Sequence, residues 1–142
     1  MSDFYRFLHP LAFDRARNQV YTPDTGGICF SVKSDGKVDE MWKLRVACSV
    51  CPDKIKFDRS MARHIADAEL ASGSYHCIQT FTLATNIIAK ALVAHLEKTP
   101  LTAKILEMLA QHKQAWELDF LARDTIKALH IEDGYARQSK SR

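Results

Sequence analysis

Five glycines in 142 residues leave little room for phosphate-cradling loops, and none of them opens a Gly-x-Gly-x-x-Gly or Gly-x-x-x-x-Gly-Lys run. There is no Gly-x-Ser-x-Gly elbow and no His-Glu-x-x-His pair, so the familiar hydrolase and metalloprotease signatures are missing as well. One-sided charge is also lacking. The net charge of +3 falls short of a protein that coats DNA and excludes an acidic nucleic-acid mimic. Long apolar runs are absent: the most apolar stretch, residues 87–96, is interrupted by Lys90 and His95 and is too short to cross a bilayer. The first residues carry neither a basic segment nor an apolar core of the secretory kind, so a cytoplasmic, non-membrane protein is expected. In that setting the four cysteines, Cys29, Cys48, Cys51 and Cys77, are expected as free thiols or metal ligands rather than disulfides.

What is present is ordinary globular composition, 46% hydrophobic and 26% charged, enough for one packed core. One α+β domain is expected over residues 1–134, with 135–142 as a flexible basic tail. Phe4, Phe7, Leu8, Leu11 and Ala12 are helically spaced, so residues 4–17 read as a short helix broken at Pro10 or as an ordered arm. Residues 21–27 have loop chemistry. Ile28, Phe30 and Val32 alternate with Cys29, Ser31 and Lys33, as in a half-buried strand. Asp35-Gly36 supplies a hairpin turn, and Trp42, Leu44, Val46, Cys48 and Val50 continue the apolar face on the return strand. Pro52 and Asp53 are expected to break that strand. Asp58 is a good N-cap for a helix to about Ala71, with Met61, Ala62, Ile65, Ala66 and Ala68 near one face and Ser72-Gly73 as its stop.

A second helix is expected over 80–98, the most buried one, with His95 on its inner stripe and Pro100 closing it. Further helix follows around Ile105, Met108 and Leu109 and again over 114–129. The expected fold is therefore an N-terminal β-hairpin, or a three-stranded antiparallel sheet, packed on three to five helices.

Residues 26–70 resemble small phage and mobile-element proteins of unknown function. In these, a strand ends in Cys, a Pro-containing turn follows, and a helix opens with Phe-x-Arg-x-x-Gly-Arg-x-Ile-Ala. The matching residues are Cys51, Phe57, Arg59, Arg63, Ile65, Ala66 and Leu70. Ala62 stands where the pattern has Gly, Glu69 where it has Arg, and Ile55 where it has Asp. The resemblance implies an origin and a local fold, and no activity.

Three constellations could carry function. Cys48-x-x-Cys51 with His76 and Cys77, or with His64, supplies enough soft ligands for tetrahedral zinc. Against that site, residues three apart on a strand face opposite ways, so buried free thiols are the favoured alternative and no cofactor is expected. Lys43, Arg45, Lys54, Lys56, Arg59 and Arg63 form a basic stretch that could contact nucleic-acid phosphates; the plain alternative is a solvated charged surface. Trp116, Phe120 and Leu121 offer an apolar surface that one hairpin does not obviously cover, suited to a protein partner or a second copy. His64 with Asp67, and His112 with Glu117, could orient an imidazole, but no nucleophile accompanies them.

The expected function is therefore non-catalytic binding of protein, either a host protein or a second copy in a homo-oligomer. Nucleic-acid binding through the basic stretch is the alternative, and a small zinc module comes third.

Overall fold

The structure, a computed structural model, describes residues 2–114. In chain order it runs β1 (Phe4–Leu8), β2 (Ala12–Asp14), β3 (Gln19–Tyr21), β4 (Thr25–Val38), β5 (Met41–Lys56), α1 (Arg59–Ala71), β6 (His76–Thr80) and α2 (Thr85–His95). A third helix, α3, occupies residues 100–114. The fold is α+β. Its main sheet is antiparallel, with strand order β1-β4-β5-β6, and β2 and β3 form a separate small hairpin.

The sheet is covered on both faces. Ile28, Phe30, Val32, Leu44, Val46 and Ile78 are buried with Ile88, Ala89 and Leu92 of α2 and Ile105 and Met108 of α3. On the opposite face Cys29 packs with Ala62 and Ala66 of α1, flanked by Tyr5, Phe7 and Phe57. That second face is floored by small residues, Cys29, Ser31, Ala47 and Ser49, all buried. Small residues on both sides let α1 approach closely enough for the Ser49 hydroxyl to donate to the Ala62 carbonyl at 2.7 Å.

The expected pairing of 28–32 with 42–50 holds, with Phe30 opposite Cys48 and Val32 opposite Val46. The turn lies elsewhere. β4 and β5 continue past Asp35-Gly36 to Val38 opposite Met41, and Asp39 and Glu40 take positive φ at the tip. Gly36, with φ +102°, instead serves a register shift between Ser34 and Lys37, the bulge role that glycine fills in a strand.

Pro52 does not end β5 either. The strand slips register between Cys51 and Lys56, opposite the step from Gly27 to Thr25, so the missing N–H of Pro52 removes no ladder bond. The Phe57 ring comes very close to the backbone there. A Cβ on Gly27 would stand 2.9 Å from the Phe57 ring, and its φ of +147° favours glycine in any case.

Three further expectations are corrected. Residues 4–17 hold two strands, β1 and β2, and a turn rather than a broken helix: β1 pairs with β4, and because Phe4 and Leu8 serve one core while Tyr5 and Phe7 serve the other, no two-residue alternation of polarity shows. The main sheet has four strands, because β1 joins β4 and β6 joins β5 just ahead of Thr80, where the second helix was to begin; α2 itself starts only at Thr85. α2 is accordingly shorter and stops at His95, which is exposed. Pro100 opens α3 at the first helical position, where its lack of N–H costs nothing. Thr99 and Thr102 cap that helix reciprocally: the Thr99 N–H donates to the Thr102 hydroxyl at 2.8 Å and the Thr102 N–H to the Thr99 hydroxyl at 3.2 Å.

α1 matches expectation at both ends. The Asp58 carboxylate accepts from the Met61 N–H at 3.1 Å. At the other end Gly73 N–H reaches the Leu70 carbonyl and Ser74 N–H the Glu69 carbonyl, a Schellman closure with Gly73 at φ +86°.

Candidate functional site

α1 lies over β4 and β5 with two different flanks. Arg59, Arg63 and Asp67, one turn apart, face β1. The Arg59 guanidinium sits 4.9 Å from the Phe7 ring centre and that of Arg63 5.7 Å from Tyr5. Asp67 accepts from the Tyr5 hydroxyl at 2.5 Å and from the Ser31 hydroxyl at 2.6 Å. Burial raises the Asp67 carboxyl, but the hydrogen bonds from Ser31 and Tyr5 outweigh it and hold the group below its ordinary range.

The other flank, Met61 and Ile65, overhangs the far end of β5. Together with Val50, Cys51, Pro52 and Ile55 of β5 it walls a mostly apolar groove of about 200 Å³, with Ser49 and Ala62 also lining it. Val50 is 46% exposed, Ile55 55%, Met61 61% and Ile65 45%. Eight large hydrophobic residues are exposed among the described residues, so half of them line this one groove. Contiguous apolar exposure of this kind marks interaction surfaces, whereas apolar residues scattered singly do not. Within the groove the Cys51 thiol donates to the Ile55 carbonyl at 3.4 Å, closing the irregular end of β5 on itself.

The edge of the sheet is open at the same place. β6 pairs with β5 only from Trp42 to Val46, while β5 continues to Lys56. Among the described residues, no strand covers the outer edge of β5 over 47–51.

The basic residues are not gathered into one patch. Arg45 is held by Asp35 in a bidentate pair, with Nη2 at 2.6 Å and Nε at 2.9 Å, and lies over Tyr75. Arg59 and Arg63 are stacked on β1 aromatics. Lys43 is exposed near the hairpin end of β5, while Lys54 and Lys56 are exposed near its other end, a separation of roughly 35–40 Å along an extended strand.

The zinc set is divided too. By strand alternation Cys48 and His76 lie on the α2–α3 face of the sheet and Cys51 and Cys77 on the α1 face. Among the described residues no three His, Cys, Asp or Glu side chains converge as a metal site would need. Burial pushes the Cys48 thiol up to about 12 and that of Cys29 up to about 11, so both stay protonated. His64 is exposed and its intended partner Asp67 is taken by Tyr5 and Ser31. Trp116, Phe120, Leu121 and Glu117 lie outside the described residues, as does the 135–142 tail.

A wider, open crevice of about 620 Å³ follows β6 and α2, lined by Lys43, Gln79, Ala91 and His95 among others. Its one carboxylate, Asp35, is already engaged by Arg45. No helix among the described residues is long and apolar enough to cross a membrane.

No known protein family, curated protein or solved structure matches this chain.

The sequence reading missed the groove because it placed Met61 and Ile65 in one buried stripe with Ala62 and Ala66. The sizes carried the signal. Ala62 and Ala66 suit a close approach to a sheet floored by Ser and Cys, and a helix seated that low must tilt its large neighbours outward.

Proposed function

We propose that this protein is a non-catalytic binding domain that docks a protein partner in the groove between β5 and the Met61–Ile65 flank of α1. The observation that carries this reading is the concentration of Val50, Ile55, Met61 and Ile65 in one exposed groove. Origin in a phage or other mobile element, implied by the resemblance over 26–70, belongs to the same proposal.

Nucleic-acid binding has less support. Arg45 is paired with Asp35, Arg59 and Arg63 lie over the Phe7 and Tyr5 rings on the β1 side of α1, and the exposed lysines stand at opposite ends of β5.

Selection of displayed random peptides on the wild-type protein, beside a Met61→Asp/Ile65→Asp variant, tests the reading. Both side chains are exposed, so the variant is expected to fold. Peptides retained by wild type and lost by the variant are expected. A selection that returns no groove-dependent peptide overturns the proposal.

A further inference from the structure

We propose that the partner in this groove is a second copy of the chain, joined across a two-fold axis at Ser49 so that the outer edges of the two β5 strands pair antiparallel and the two α1 helices pack side by side. The inference rests on the protein-binding reading above and names the partner.

Three relationships support it. The first is the edge. β6 ends its pairing at His76 opposite Val46, and Pro52 with the register slip ends the regular part of β5 after Cys51. The open stretch between them, residues 47–51, is centred on Ser49 and carries no strand among the described residues. An axis at Ser49, perpendicular to the sheet, lays this stretch on its own image, with Ala47 of one copy opposite Cys51 of the other. Pro52 then falls opposite Val46 of the other copy, the first residue that β6 already covers. A free edge accepts any strand, so the choice of a second copy comes from the helix.

The second is the spacing of the helices. α1 is bonded to both central strands: the Ala62 carbonyl accepts from Ser49 of β5, and Asp67 accepts from Ser31 of β4. Its axis therefore lies over the space between them. With strands about 4.8 Å apart, α1 stands about 5 Å from the two-fold axis. The two helices then lie about 10 Å apart, antiparallel on the same face of the sheet, a distance at which helices pack. The flanks that meet carry Met61 and Ile65, both exposed in the single copy. Because Ala62 stands at the height of Ser49, Met61 and Ile65 lie within about one turn of the axis. The apolar flank faces its own image.

The third is the placement of charge. Glu69 is exposed about one turn beyond Ile65 on the same flank. Asp67 stands at Ser31, opposite Ala47, so Glu69 lies roughly 10 Å to one side of Ser49. Lys56 stands opposite Thr25, just past the Gly27–Cys51 pair, so it lies roughly 13 Å to the other side. The two-fold axis thus brings Lys56 of each copy to the level of Glu69 of the other. Among the described residues no ion pair engages either side chain. Lys54, Asp24 and the negative Asp58 share the Lys56 end, which is therefore mixed in sign, and the lysines of the two copies stand at opposite ends of the interface. A surface complementary to its own two-fold image selects a second copy over an unrelated strand.

The test uses the full chain in sedimentation equilibrium, with circular dichroism to verify that each variant is folded. Wild type is expected to be a dimer and Met61→Asp/Ile65→Asp a monomer. Lys56→Glu and Glu69→Lys are each expected to weaken dimerisation at least about tenfold, because like charges then meet at both ends of the interface. An equimolar mixture of these two variants is expected to recover a dimer, since each copy meets the opposite sign on the other.

A monomeric wild type at roughly 100 μM, a dimer that survives Met61→Asp/Ile65→Asp, or a mixture as dissociated as its components would each overturn the proposal. In all of these cases groove-dependent peptides from the library selection would leave the protein-binding reading standing, and only their absence would remove both.

Discussion

The hydroxyl of Tyr5 on β1 donates to Oδ2 of Asp67 on α1 at 2.5 Å, across the top of β4, while the Ser31 hydroxyl of β4 donates to the other carboxylate oxygen at 2.6 Å. One carboxylate thus fixes the helix to two strands, and with it the height and rotation of α1. That rotation turns Met61 and Ile65 toward the outer edge of β5. The groove and the Asp67 network are two consequences of one helix placement.

Tyr5→Phe removes one donor to Asp67 and is expected to destabilise the fold by about 1 kcal/mol, read from denaturant unfolding. The Asp67 carboxyl is held below its ordinary value of 3.8, so its stabilisation is present above that pH and fades as acid protonates it in the folded state. The Tyr5→Phe variant should therefore lose less stability than wild type on going from neutral pH to below 3.8. A parallel pH dependence in the two proteins would contradict this role for Asp67.

His9 contributes a pH dependence of its own. Burial, then the charges of Arg59 and His112, depress its imidazole below 6.5, and its ring is stacked on Phe7 and set edge-on to Phe57. The fold prefers the neutral ring. Stability is complete above pH 6.5 and falls as pH drops from there toward the folded value, because the unfolded chain binds the proton first. His76, depressed by burial and by His95, acts in the same direction. His9→Phe keeps the ring packing and should reduce the drop in thermal midpoint between pH 7.5 and 5.5. An unchanged drop would contradict the assignment.

Core positions separate by mechanism. Leu44→Ala empties a fully buried site and is expected to cost about 2–5 kcal/mol. Gly27→Ala is expected to be at least comparably harmful without removing an atom, because the new Cβ meets the Phe57 ring at 2.9 Å on a backbone with φ +147°. Pairing Gly27→Ala with Phe57→Ala should restore part of the loss if the clash is the cause, and none if only the backbone is.

The thiols should divide by exposure. Cys77 is exposed and Cys51 half-buried, while Cys29 and Cys48 are pushed up to about 11 and about 12 by burial. Ellman's reagent at pH 8 is expected to titrate Cys77 first and Cys51 next, and to reach Cys29 and Cys48 only on unfolding. Prompt reaction of all four would contradict the packing on both faces of the sheet.

Much of the fold was legible in the residues wherever local chemistry decides. The alternation at Ile28, Phe30 and Val32 and at Leu44 and Val46 named the central pair of strands and their inner face. Asp58 and Ser72-Gly73 bounded α1. Legibility failed where tertiary context decides. β1 is covered on both faces, so Phe4, Tyr5, Phe7 and Leu8 lost the two-residue period and mimicked a helix. Asp35-Gly36 has hairpin chemistry, yet longer strands gain more pairing by running on to Asp39-Glu40. Of the site, the lysines at 54 and 56 were visible as charges, but the groove depends on which flank of α1 tilts outward, and only its packing on Ser49 and Cys29 settles that.

Chemical-shift mapping tests the central claim most directly. Isotope-labelled protein would be titrated with a peptide taken from the library selection and the backbone amide shifts assigned. The account expects the perturbations to cluster on residues 47–56 and 61–65, with those at 47–51 accompanied by slowed amide exchange. Perturbations confined to β1, to the crevice beside β6, or to residues outside 2–114 would contradict it.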